Sequence, residues 1–251
     1  MERDDELAAG LAGLAGLVSG QGALEATLVH VAQFAVQAIP GAEGAGLTLL
    51  EADRQQTVVA TADFVHAVDD IQYGIGEGPC LSAVAERRPF SSSNLGGDAL
   101  WPRFGPRVGR LGVHSALSLP LLLPDRVIGA LNIYAHPRDA FDSHAIALGE
   151  AFAVPAAVSV SNAQLLAQAE RLVGQLREAL TSRAEIDQAL GVVMSRTGMS
   201  APEAFERLRA LSQSRSVRLA EVARDLLGEA VRRGRARHAA DAPDGPGAGP
   251  G

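Results

Sequence analysis

Thirteen arginines fall within residues 171–240 of this 251-residue chain, against eight acidic residues, while residues 1–170 hold nine arginines and nineteen acids. The two stretches carry net charges of +5 and −10. A basic half joined to an acidic one points to a polyanionic partner for the basic half. A solvated helical surface accounts for the same charges. Lysine is absent throughout. Arginine brings a planar fork that meets phosphate and base edges through two parallel hydrogen bonds. The single cysteine, Cys80, follows Pro79. It excludes an intramolecular disulfide and suits a reducing cytosol. Two readings of Cys80 stand. In the first turn of a helix the dipole favours thiolate and a sensor thiol. As a small apolar side chain it equally fills a core. The six histidines (His30, His66, His114, His136, His144 and His238) show no paired metal spacing. No Ser/His/Asp constellation, phosphate-cradling glycine loop or carboxylate pair can be assigned. The expectation is a regulator without a catalytic centre, bound metal or cofactor.

The elements that position these groups follow from periodicity. Leu24, Leu28, Val31, Ala32 and Ala35 share one helix face that ends near Pro40-Gly41. Two β-rich runs, 45–50 and 56–61, suit a hairpin. Residues 74–90 turn through GIGEGPC into a short helix, and 91–106 read as a loop. Runs 114–123 and 126–135 form a second hairpin around Pro124-Asp125, and a helix follows. Strand pairs with helices gathered outside them imply an α+β fold, an antiparallel sheet flanked by helices. The acidic start, MERDDELAAG, lacks the basic region of a signal peptide. The apolar stretch after it falls short of the ~20 residues that span a bilayer, so a cytoplasmic protein without membrane contact is expected.

From Val158 the period becomes seven. Val158, Leu165, Leu172 and Ala179 alternate with Asn162, Ala169 and Leu176 at 4,3 spacing. This is a coiled-coil seam of about three heptads, on which an asparagine can fix register in a homodimer. A long helix packed on its own domain is the other reading. Three apolar stripes follow. Ile186, Ala189, Leu190, Val193 and Met194 form the first, stopped by Gly198. A capping box, Ser200-Ala-Pro-Glu203, opens the second, with Ala204, Phe205, Leu208 and Leu211. Leu219, Val222, Ala223, Leu226, Leu227 and Ala230 form the third. Helices this short close a core only together, giving an all-α three-helix module.

Arg183, Ile186, Ala189, Gly191, Met194, Arg196 and Gly198, then Ala204, Leu208 and Arg209, then Leu219, Val222 and Ala223 follow a spacing that resembles the ANTAR domain. Leu190 and Ser216 depart from it, standing where the family often has Lys and Asn. Loss of that lysine removes one phosphate contact. The resemblance implies a transcription antiterminator that binds RNA hairpins in nascent transcripts. Loop bases are unstacked and readable, while arginine neutralises phosphate. Arg183, Gly191, Arg196, Ser212, Arg215 and Arg218 are the candidate RNA contacts. Gly191 admits close backbone approach or a helix–helix contact. Residues 22–165 resemble a GAF domain through Asp69-x-x-Gln72-Tyr73 and Gly76-Glu77-Gly78-Pro79-Cys80, Trp101-Pro102, Gly112-Val113 and Gly129-Ala-Leu-Asn-x-Tyr134. That resemblance implies a pocket over the sheet for an unidentified small molecule. Tyr73, Glu77, Cys80, Trp101, Phe104 and Tyr134 are candidates to line it.

The expected organisation is an N-terminal helical segment (1–21), a GAF sensor (22–165), a connector coiled coil (158–183), an ANTAR module (183–238) and a disordered tail (239–251). Two rivals remain. One is a thiol-based GAF enzyme resembling a methionine-sulfoxide reductase, poorly supported by one cysteine. The other is an adaptor that binds protein through the C-terminal helices.

Overall fold

The computed structural model describes residues 24–51 and 54–240. The segment expected to be helical over 1–21, and residues 241–251 of the expected tail, lie outside the described residues. Two compact units divide between Ala169 and Glu170.

The first unit is built on a five-stranded antiparallel sheet in the order β2-β1-β5-β4-β3. Its strands are β1 (Gly44–Glu51), β2 (Arg54–Ala60), β3 (Phe90–Ser92), β4 (Ser115–Leu122) and β5 (Val127–Ala135). Helix α1 is Leu24–Ala38, α2 is Asp63–Ile75, α3 is Pro79–Glu86 and α4 is Gly105–Gly109. Register puts Leu131 opposite both Leu47 and Leu119, and Asn132 opposite both Gly46 and Ser118. Because side chains alternate along a strand, those two rows face opposite ways. Leu47, Leu117, Leu119, Leu131 and Ile133 pack into one aliphatic cluster with Leu28 and Val31 of α1 and Phe152 and Val160 further along the chain. The opposite face meets α2 and α3. Gly129 lets β5 approach β1, since a Cβ there would lie 2.0 Å from the Thr48 carbonyl oxygen.

Three local expectations change. The span 91–106 is not one loop: it contains part of β3, a 3-10 turn at Leu95–Gly97 and the start of α4. Three residues of Phe-Ser-Ser carry no apolar alternation, so β3 gives no strand signal. Helix α2 was not visible in the periodicity either. Its buried stripe is Val65, Val68, Asp69 and Gln72. Those positions have helical spacing, but half of them are polar. The returning helix, the connector and the first module helix are also one element, α5 (Ser143–Thr197), of 55 residues. Gly174 and Gly191 fall inside it; a lone glycine costs a helix only about 1 kcal/mol. By length and composition α5 could cross a membrane, but half of its most apolar window is buried within the protein.

The second unit contains the C-terminal part of α5, then α6 (Ala201–Arg215) and α7 (Leu219–Ala240). Ala189, Val193, Ala204, Leu208, Val222 and Ala223 form its buried core. Gly198, at φ +73°, ends α5. Ser200 and Glu203 cap α6 reciprocally, with the Ser200 N–H donating to Glu203 Oε2 at 2.8 Å. Met194 and Phe205, assigned to the apolar stripes by spacing, remain exposed. Each lies next to a buried position, Val193 or Ala204, and so falls outside the narrow buried arc.

Candidate functional site

Beneath α2 and α3, the second face of the sheet carries hydrogen-bonding groups instead of aliphatic ones. Thr48, Asp69, Gln72, Ser118 and Asn132 are all buried there beside Tyr134. Helix α2 ends at Gly76, whose φ of +68° is left-handed and whose N–H donates to the Gln72 carbonyl at 2.9 Å. The chain then reverses into α3, with Pro79 in the first turn. Gly78 allows that reversal to press against Gln72: a Cβ there would lie 2.5 Å from Gln72 Oε1. Gln72 links the two helices. Its Oε1 accepts the Cys80 N–H at 3.1 Å, satisfying a helix-end donor. Its Nε2 donates to Asp69 at 2.9 Å and to the Tyr134 hydroxyl at 3.2 Å.

Asp69 is the hub. Its Oδ1 accepts from the Tyr134 hydroxyl at 2.6 Å, from Gln72 and, at 3.3 Å, from Asn132 Nδ2. Asn132 also donates to Thr48 Oγ1 at 3.2 Å and accepts from Ser118 Oγ at 3.0 Å. Thr48 shares a 2.5 Å hydrogen bond with the Tyr73 hydroxyl. Burying a carboxylate is costly unless such donors surround it. Burial, followed by the Asp69 charge, pushes Tyr134 well above its ordinary pKa, so it stays a donor. The same two causes push the Cys80 thiol up to about 11. Of the two readings of Cys80, these neighbours favour the core side chain over the sensor thiol. Desolvation and a nearby anion outweigh the helix end, and Cys80, 0% exposed, is a buried thiol.

The six candidate pocket residues separate into two groups. Tyr73, Cys80 and Tyr134 belong to the polar cluster; the Tyr73 hydroxyl lies 3.8 Å from Cys80 Sγ. Glu77, Trp101 and Phe104 instead fasten the neighbouring loop. Glu77 Oε1 accepts the backbone N–H groups of Arg103 at 2.7 Å and Phe104 at 3.0 Å. Trp101 donates through Nε1 to Ser82 Oγ at 3.1 Å, and Phe104 is fully buried among apolar neighbours. Sequence reasoning missed Thr48, Asp69, Gln72, Ser118 and Asn132 as site residues. For Asp69 and Gln72 a signal existed: polar residues on the inward stripe of a helical period.

In the second unit, Arg183, Arg196 and Arg215 are exposed and, among the described residues, form no salt bridge. Arg218 is held differently, by Glu221 at 3.0 Å and Glu178 at 3.2 Å. Ser212 donates its hydroxyl to the Val217 carbonyl at 2.6 Å, closing the turn after α6. Gly191 is exposed, and a Cβ there would meet nothing within 4 Å. Helix–helix contact therefore does not explain this glycine.

Residues 22–161 match the GAF domain family. The chain belongs to that family. Residues 174–227 match the ANTAR domain. Among solved structures, one described as the structure of the GAF domain is 15% identical, with a TM-score of 0.50, covering 62% of this chain and 88% of its own. The fRMsr of Staphylococcus aureus in its reduced form is 21% identical, with a TM-score of 0.49, covering 61% of this chain and 94% of its own. A free methionine-R-sulfoxide reductase from Neisseria meningitidis, in complex with its substrate, is 16% identical, with a TM-score of 0.48, covering 62% of this chain and 89% of its own. At these identities the likeness concerns the fold alone. No curated protein matches the chain. A GAF domain joined to an ANTAR domain makes this a regulator of the signal-sensing, RNA-binding kind. The Asp69 cluster lies in the GAF domain, and Arg183, Arg196 and Arg215 in the C-terminal unit.

Proposed function

We propose that the protein is a cytoplasmic, homodimeric transcription antitermination regulator. Its GAF domain senses a small molecule and its ANTAR domain binds RNA hairpin loops in nascent transcripts. The observation that carries this reading is the free arginine surface: Arg183, Arg196 and Arg215 project from a module whose core is complete without them. Unpaired guanidinium groups attract phosphate without first losing an internal partner. Gly191 supports it, because a mid-helix glycine with no packing partner leaves the backbone open to close approach. Arg218 joins the RNA surface once its glutamates give way.

In the GAF domain the buried Asp69 cluster is the recognition site, reached from the half-buried Tyr73. It groups a carboxylate, two amides and three hydroxyls around a half-buried Tyr73. A small molecule rich in hydrogen-bonding groups would replace these internal bonds with its own. The dimer reading rests on the seam, where Val158, Leu165, Leu172 and Leu176 are 46–66% exposed and a second copy would cover them.

The decisive experiment titrates paired hairpins from the organism's leader transcripts with the full chain across a salt series. Specific binding that falls with salt, and that Arg196→Ala with Arg215→Ala weakens at least tenfold without loss of helicity, supports the proposal. Affinity equal to that for arbitrary RNA at matched salt refutes it.

A further inference from the structure

The acidic GAF domain carries a cationic ridge on its surface. Between Asp98 and Asp125 the chain has no acidic residue, and Arg103, Arg107 and Arg110 fall in that interval. From Trp101 to Gly112 the backbone winds helically through α4. The Gly105 N–H donates to the Trp101 carbonyl at 2.9 Å, Val108 to Phe104 at 3.1 Å and Leu111 to Val108 at 2.9 Å. Gly112, at φ +83°, stops the winding. Trp101, Phe104 and Val108, spaced i, i+3, i+7, are buried. The arginines, spaced i, i+4, i+7, form the outward row and are all exposed. Among the described residues none of the three forms a salt bridge. Like charges one turn apart repel each other, so the row is unfavourable until an anion meets it.

The ridge is held in place. Gly105 seats it against the 3-10 turn, since a Cβ there would lie 1.9 Å from the Leu95 carbonyl oxygen. Glu77 fixes the N–H groups of Arg103 and Phe104 from below. At its two ends stand Leu100, 63% exposed, and Leu111, 44% exposed. Arginines alone would suit any polyanion. The leucines narrow the choice, because a nucleic-acid backbone has no apolar layer to receive them. The outward face of a helical turn is convex, so it offers an extended peptide no groove. A flat surface with phosphates above hydrocarbon matches both kinds of side chain.

We propose that this ridge docks the GAF domain on an anionic lipid surface. Arg103, Arg107 and Arg110 hold lipid phosphates, while Leu100 and Leu111 enter the boundary between headgroups and acyl chains. The contact is peripheral and needs no spanning segment. Each arginine at such a surface raises partitioning about fivefold.

The test mixes the full chain with vesicles of phosphatidylcholine, alone or blended with phosphatidylglycerol, and reads the bound fraction by sedimentation. The blended vesicles bind the protein and the neutral ones do not. Binding falls as salt rises from about 0.1 to about 1 M, which shortens the screening length from ~10 to ~3 Å. Replacing Arg103, Arg107 and Arg110 together by Gln lowers binding at least tenfold. Leu100→Ser with Leu111→Ser lowers it severalfold at unchanged charge. Helicity by circular dichroism and affinity for hairpin RNA stay constant in both variants. Soluble glycerophosphate at equal phosphate concentration does not displace the protein. Equal binding to neutral vesicles, or none to the blend, overturns the proposal. So does full binding by the triple Gln variant with loss on replacing Arg232, Arg233 and Arg235, which moves the contact to α7. Displacement by glycerophosphate reduces the ridge to a free-anion site, and weaker RNA binding by the triple variant assigns it to RNA; either result also overturns the lipid contact.

Discussion

The two faces of the GAF sheet use the same strands for different ends. On one, Leu47, Leu131 and Leu119 form a row across three strands and pack under α1 and α5. On the other, one residue along, Ser118 donates to Asn132, which in turn donates to Thr48 and Asp69. The aliphatic face gains stability from each buried methylene, roughly 0.8 kcal/mol apiece. The polar face spends its bonds cancelling the desolvation of Asp69. A buried ionic network seldom stabilises more than apolar side chains of equal volume. A fold under selection for stability alone would repeat the first face on the second. Under the function proposed above, that difference belongs to recognition.

Substitutions on the two faces should have unequal effects. Leu131→Ala, at the centre of the aliphatic row, should have the largest effect, a loss of about 3 kcal/mol in denaturant unfolding. A loss below that of the polar-face changes would reverse the ranking of the faces. Tyr134→Phe removes the shortest donor to Asp69 and should cost about 2 kcal/mol. Adding Asp69→Leu and Asn132→Leu should recover most of that loss, since the uncompensated charge goes with them. If the triple variant is less stable than Tyr134→Phe alone, the polar face is structural after all.

Cys80 gives a pH signature of the same face. Its folded-state pKa is about 11 against an ordinary 9.0, so the unfolded chain loses the thiol proton first as pH rises. Stability should therefore be intact below pH 9 and fall by roughly 1 kcal/mol per unit between pH 9 and 11. Chemical denaturation of wild type and Cys80→Ala across that range checks it; parallel curves would refute it. The smallest effect is expected at the rim. Glu77→Ala frees the Arg103 and Phe104 N–H groups and should cost about 1 kcal/mol. Faster hydrogen exchange at those two amides, with the sheet amides unchanged, is the readout.

How much was legible in the chain varies by region. The C-terminal module is written in local signals: a left-handed stop at Gly198, a capping box at Ser200 and Glu203, and apolar residues at helical spacing. Each acts within one or two turns, so spacing alone reveals it. The sheet's two hairpins were equally plain, because strand alternation is local too. Helix α2 was hidden by the very residues that matter, for Asp69 and Gln72 sit where an apolar stripe would otherwise show. Asp69 and Asp70 are neighbours of one type, yet one is buried at the hub and the other exposed. Composition does not distinguish them.

Residue type and short-range spacing carry the charge division, the helix stops and caps, the strand pairs and the membership of the GAF and ANTAR families. The folded chain was needed to bring Thr48, Asp69 and Asn132 together, across separations of 21 to 84 positions, and to bury the Cys80 thiol. The fold also lets Glu178 and Glu185 hold Arg218 and Arg224, while Arg215 has no salt bridge among the described residues. Pairing and burial depend on which distant groups the fold brings within about 3 Å, and the charge or acidity of a side chain in place is set by those neighbours.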